Sequence, residues 1–221
     1  MESILLQACI DGFFGKILHF ADGTLYDAGF VFLDGRPNGE AVQAVQQYKN
    51  RMFVCMNPAW EQALVDTFPD MASLTRHLMR VPDAWDIHRL QKYASSLPEG
   101  YVLRNFDADA FDRHPFSHGE NYASFADFQK RGIGSVIWHE NEIVCSASSY
   151  LSYKNAVETD ISTLPEHQRK GLARCCCASM LLQCIDRNIV PHWDAQNNAS
   201  RALAESLGYE LALSYSAYYF S

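Results

Sequence analysis

The sequence predicts a mixed α/β fold, α+β in its ordering, with antiparallel strands leading into a strand–helix–strand crossover in its second half, on three observations. Two apolar runs, GSVIWHE and EIVCSASSY, stand either side of a short ENE turn, as the arms of a hairpin do. A third strand-like run, AVETDIST, leads through a glycine-bearing turn into a long apolar stretch and then into another strand, IVPHWDA, which is the order of a strand–helix–strand crossover. The first hundred residues alternate short strands with helical segments.

Taken in order, GFVFL (Gly29 to Leu33) reads as a strand, DGRPNG as a turn, and about Glu40 to Lys49 as an amphipathic helix. The strand RMFVCM follows and is closed by NPAW, and a further helical stretch covers Asp83 to Ser96. Pro98 and Gly100 in LPEGY mark the best boundary, dividing the chain into residues 1–97 and 101–221. Beyond it YVLRNFD is a strand, and Asp107 to Arg131 is helical with breaks at Pro115 and Gly119. The hairpin and AVETDIST come next, then a long helix from about Gly171 to Asp186, the strand IVPHWDA, and a helix from about Ala199 to Leu207 stopped by Gly208. A tyrosine-rich strand ends the chain.

Composition narrows the function. With 48% hydrophobic and 20% charged residues the chain is expected to fold as a globular protein, and 221 residues suffice for a sizeable core. A net charge of −8 argues against a nucleic-acid groove and mildly suits a cationic small substrate. MESILLQACIDGFF carries Glu2 and Asp11 and has no basic flank, so neither a secretory signal nor a membrane segment is expected, and the cytoplasm is the default compartment. Seven cysteines, three of them consecutive at Cys175 to Cys177, fit neither a disulfide framework nor a zinc site; they read as reduced packing residues, and no metal is expected.

The stretch PEHQRKGLA, Pro165 to Ala173, carries the chemistry. A strand delivers the chain to a turn whose amides face outward where a buried helix begins, and such amides lack internal partners. With the helix dipole they form an anion site, so Gln168, Arg169, Lys170, Gly171, Leu172 and Ala173 are candidates for holding a phosphate. At Gly171 a side chain would keep the phosphate from the amides. Ala173, Cys177, Met180, Leu181 and Cys184 at helical spacing bury the helix behind the turn and fix its start.

With Gln168, Gly171 and Ala173 in place, the loop resembles the pyrophosphate loop of the GNAT superfamily of acetyl-CoA-dependent N-acyltransferases. A second block, NNASRALAESLGY, is similar to that family's next segment, with Asn197, Ser200, Leu203, Leu207, Gly208 and Tyr209 in phase. The resemblance covers about Tyr101 to the C-terminus, in a branch whose N-terminal half looks like a degenerate copy of the same fold without the loop. It implies a GNAT fold with a mostly antiparallel twisted central sheet flanked by helices, acetyl-CoA as co-substrate, and transfer of acetyl to a primary amine, here of a small molecule, by direct attack. It also implies that backbone groups of Ile161 and Thr163 pair with the pantetheine arm and that Asn197 and Ser200 lie against the cofactor, although Asn197 or Asn198 could equally cap the helix. Glu158 and Asp160, on one strand face beside the expected thioester, are the candidate bases, with solvent exposure or pairing to lysines as their ordinary alternative. Asp194 could join them, whereas His167 and His192 read as packing or surface residues. The family's leaving-group tyrosine is replaced by Ala204, which favours the rival reading of a non-catalytic acyl-CoA-binding sensor. Tyr209, Tyr215, Tyr218 and Tyr219 are possible substitutes.

Overall fold

The computed structural model describes residues 3–115 and 121–220. The expected helix break at Gly119 lies outside the described residues. The chain forms two compact units, residues 1–76 with 214–221 and residues 77–213. The LPEGY stretch forms the turn leading into the strand Tyr101–Asn105.

The first unit begins with α1 (Ile4–Ile10), capped by the Ser3 hydroxyl, and an antiparallel meander of β1 (Lys16–His19), β2 (Gly23–Ala28) and β3 (Phe30–Gly35). Helix α2 (Gly39–Ala44), extended by one tighter turn to Tyr48, returns the chain to β4 (Phe53–Cys55), which lies parallel to β3. Helix α3 (Pro58–Thr67) starts at an Asn57 cap with proline in the first turn, as the NPAW stop requires. Next is β5 (Met71–Arg80), a strand that the sequence pattern did not disclose. The core packs Leu25, Val31, Leu33, Val45, Phe53, Trp60 and Leu64.

In the second unit, α4 (Ile87–Ala94) is shorter than the expected 83–96 span because Asp86 caps it. It is followed by β6 (Tyr101–Asn105), α5 (Ala108–Arg113), α6 (Phe125–Arg131), and the antiparallel run β7 (Gly134–His139), β8 (Glu142–Tyr153) and β9 (Ala156–Thr163). Then come α7 (Leu172–Asp186), β10 (Val190–Ala195), α8 (Asn198–Leu207) and β11 (Glu210–Phe220). The hairpin turn at Glu140 and Asn141 and the stop at Gly208, whose φ of 117° suits glycine, are where the sequence placed them. Within this unit the strand order is β5-β10-β9-β8-β7-β6, parallel only at β9 and β10.

Helix α7 is buried on several sides. Leu172, Cys175, Cys176, Cys177, Ala178, Met180, Leu181 and Cys184 are all buried. Its first turn meets α4, where Arg174 lies 4.6 Å over the Tyr93 ring, and its middle meets β7, where Ser179 takes a hydroxyl hydrogen bond from Ser135. The opposite sheet face packs Val136, Trp138 and Ile143 against Ala110 of α5. In the first unit Ala217 and Tyr218 of β11 pair with Val54 and Phe53, and in the second Leu78 and Met79 of β5 pair with Asp194 and Trp193. Among the described residues no helix is long and apolar enough to cross a membrane.

Candidate active site

The site begins where two parallel strands part. β9 and β10 pair from Ala156 with Val190 to Glu158 with His192. Trp193, Asp194 and Ala195 then pair with β5, while β9 runs on to Thr163. The Leu164 N–H donates to the Val144 carbonyl at 2.9 Å, so by strand alternation Ile161 and Thr163 turn their own N–H and C=O away from β8, toward the side from which β10 has departed. An extended ligand arm can add there as a strand adds to an edge.

The loop after β9 is built to present amides. One tight turn, Pro165–His167, leads to Gln168, whose side-chain NH2 donates to the Thr163 carbonyl at 3.2 Å. Arg169 and Gly171 both adopt left-handed backbone, with φ of 64° and 81°. For arginine that conformation is costly, and for glycine it is free. A Cβ on Gly171 would meet nothing within 4 Å, so open space lies before the first turn of α7. No side chain caps that helix and no acid sits in its first turn, while Arg169 and Lys170 stand exposed just ahead of it. Buried Leu172 anchors the helix start to the core. A diphosphate therefore fits on geometric and electrostatic grounds.

On the loop's outer side the Lys170 ammonium donates to the Tyr101 hydroxyl at 3.0 Å, and that hydroxyl lies 2.9 Å from Nδ1 of His167. The His139 ring stands 4.7 Å from the Tyr101 ring and 5.1 Å from the His167 ring. Sequence reading took His167 for a packing or surface residue and did not single out Tyr101. The partners are 66 and 69 residues from Tyr101, and no local pattern links them.

The acids fall on the other sheet face. Val157 packs into the core around α7, so alternation sends Glu158 and Asp160 to the opposite side. On β10 Trp193 donates its indole N–H to the Ser200 hydroxyl at 3.1 Å and packs on Tyr209, which places His192 and Asp194 with the acids. Glu158 is only 9% exposed and sits beside His192 at the last paired register before the strands part. Asp160 lies across from Ser148, and Ser146, two residues on, is fully buried with a hydroxyl that finds no hydrogen-bond partner among the described residues.

Asn197 serves as the cap of α8, its side-chain oxygen accepting the Ser200 N–H at 2.9 Å, which leaves its NH2 as the group able to face a ligand. Asn198 instead lies 3.0 Å from Nε2 of His77. Ala204 is fully buried and its carbonyl accepts the N–H groups of Gly208 and Tyr209 at the helix end. Tyr209 cannot replace a leaving-group acid: it is buried, it donates to the Pro191 carbonyl at 2.9 Å, and burial holds its phenol well above the ordinary range. Tyr215, Tyr218 and Tyr219 belong to the first unit. Burial also pushes the Cys175 thiol up to about 11 and Cys184 to about 12, with Cys176 and Cys177 held well above the usual thiol value, so these cysteines are packing groups.

A mostly antiparallel twisted sheet flanked by helices, with an uncapped, glycine-led helix start after β9, matches the GNAT fold that the sequence resemblance implies. Comparison with known proteins agrees. The family profile described as GNAT acetyltransferase matches residues 1–218, reaching well beyond the Tyr101-to-C-terminus span that carries the motifs. The "Uncharacterized N-acetyltransferase YdfB" of Bacillus subtilis (strain 168) is 34% identical over 134 residues, 58% of this chain and 51% of that protein, so the match spans about half the relative's length. The crystal structure of a GCN5-related N-acetyltransferase-like protein from Streptococcus suis 89/1591 superposes with a TM-score of 0.88 at 30% identity, covering 99% of this chain and 93% of that one. A GCN5-related N-acetyltransferase from Kribbella flavida shares the fold, with a TM-score of 0.61 at 15% identity over 96% and 91% of the two chains. The chain belongs to the GNAT acetyltransferase family.

Proposed function

We propose that this protein is an N-acetyltransferase that moves the acetyl group of acetyl-CoA to a primary amine of a small molecule, by direct attack with both substrates bound. The observation that carries this reading is the juxtaposition, in one unit, of the open β9 edge at Ile161 and Thr163 with the uncapped start of α7. Acetyl-CoA, when bound, supplies an activated thioester carbonyl. In this reading the amides from Gln168 to Ala173 hold its diphosphate with Arg169 and Lys170 adding charge, and Asn197 and Ser200 flank it. Ile161 and Thr163 orient the arm.

A lysine-like ammonium titrates near 10.4, so presenting it neutral at pH 7 costs about 4 to 5 kcal/mol. Glu158 and Asp160 are proposed to seat that ammonium and draw off its proton, with Asp194 adding to the negative field on the same face. Such a face suits a cationic acceptor better than a carboxylate one. The enzyme is proposed to work in the cytoplasm, and residues 1–97 to be a degenerate copy of 101–221. In support of the copy, both halves run three antiparallel strands, a helix, a parallel strand, a helix and a final strand.

Ala204 and the sequestered Tyr209 favour the second reading, a non-catalytic acyl-CoA-binding module. Calorimetry with coenzyme A tests what the two readings share: the wild type binds and Gly171→Glu, which puts a carboxylate into the anion seat, loses at least about a hundredfold in affinity. Unchanged affinity in that variant ends the loop assignment. Thiol release across a panel of amines separates the readings, because a module that binds coenzyme A and refuses every amine is not an enzyme.

A further inference from the structure

We propose that Tyr101 is a positioning residue of the cofactor loop: from the first position of β6 it holds Lys170 and His167 together and so sets the loop's anion-binding shape without touching the ligand. This rests on the reading of the loop as the seat of a diphosphate.

A lysine ammonium only donates, so the Tyr101 oxygen accepts from Lys170 Nζ at 3.0 Å. The same hydroxyl pairs with Nδ1 of His167 at 2.9 Å, the direction of that bond following the imidazole tautomer. The same ammonium lies 5.7 Å from the centroid of the Tyr101 ring, within cation–π range. The His139 ring, packed on both Tyr101 and His167, completes the support from the end of β7.

What the hydroxyl spans is the part of the loop that most needs bracing. His167 and Lys170 flank Arg169, a non-glycine residue held at φ 64°, and Gly171 at φ 81° follows at once. A backbone conformation of that cost persists when its surroundings over-determine it. Two hydrogen bonds to one oxygen on a sheet strand supply that determination, and they tie the Lys170 ammonium to β6. Gly100, at φ 85°, makes the turn that delivers Tyr101 to this place.

Removing one hydroxyl tests this. Calorimetry compares wild type, Tyr101→Phe, Lys170→Met and the double variant, each with coenzyme A and with pantetheine, which lacks every phosphate. Tyr101→Phe is expected to weaken coenzyme A binding about tenfold, as loss of a charge-assisted hydrogen bond does, and to leave pantetheine binding and the melting temperature unchanged. The double variant should bind coenzyme A about as weakly as Lys170→Met alone, because the two residues act as one unit. Wild-type affinity in Tyr101→Phe overturns the inference, and so does an equal loss for pantetheine, which would mark a merely structural role. A wild type that does not bind coenzyme A overturns the loop reading itself, a separate result from either of these.

Discussion

Each unit contains a parallel strand pair joined by a helical crossover, and the two crossovers have been finished in opposite ways. In the first unit β3 and β4 pair from Val31 with Phe53 to Leu33 with Cys55, and the Met56 N–H still bonds the Leu33 carbonyl, so the pair stays closed to its end. The strand inside it is Phe30-Val31-Phe32-Leu33, with no acid until Asp34. Helix α2 then starts at an asparagine whose side chain takes the Ala41 N–H, with Glu40 in its first turn. In the second unit the pair opens after Glu158, acids occupy the strand, and α7 starts with no side chain over its amides and no acid near them. One helix start is capped and carries an acid of its own; the other has neither. The difference lies in a few residues at a strand end, not in the order of elements.

The largest effect expected from this contrast is on the acids present in one unit and missing from the other. Glu158→Gln combined with Asp160→Asn should lower kcat by about 10² to 10⁴ while coenzyme A affinity stays within a factor of two, since proton removal is lost and the anion seat is not. Steady-state kinetics with calorimetry reads both. A parallel loss of coenzyme A binding would show that these carboxylates shape the cofactor site instead.

A smaller effect should come from the other helix start. Asn38→Ala removes the cap of α2 and is expected to cost about 1 kcal/mol of stability in a denaturant titration, with no change in coenzyme A affinity. Altered affinity would mean that the first unit's crossover takes part in binding, and the contrast would fail.

The glycine-led turn into α7 was legible because its signal is local: a glycine, two cations and a buried helix stand within a few residues of one another. The face shared by Glu158 and Asp160 was equally legible from strand alternation. The opening of β9 from β10 was not, because it depends on β10 finding β5 as its next partner. That strand was passed over since MASLTRHLMR mixes polar with apolar positions. Two of its polar residues are buried all the same, Arg76 stacked 4.6 Å over the Phe30 ring and His77 beside Asn198, partners far away in sequence. Tyr101 escaped notice for the same reason. Asn197 was read as cap or cofactor contact; its cap bond occupies only the oxygen, so one role does not displace the other.

The account stands most directly on which backbone amides meet the ligand, and a titration of isotope-labelled protein with coenzyme A, followed by amide resonances, reads them one by one. The largest shifts are expected at Arg169 to Ala173, with further changes at Ile161 and Thr163 and none at Gly39 to Val42. Shifts centred on the α2 start, or none at the head of α7 while coenzyme A binds, would contradict it.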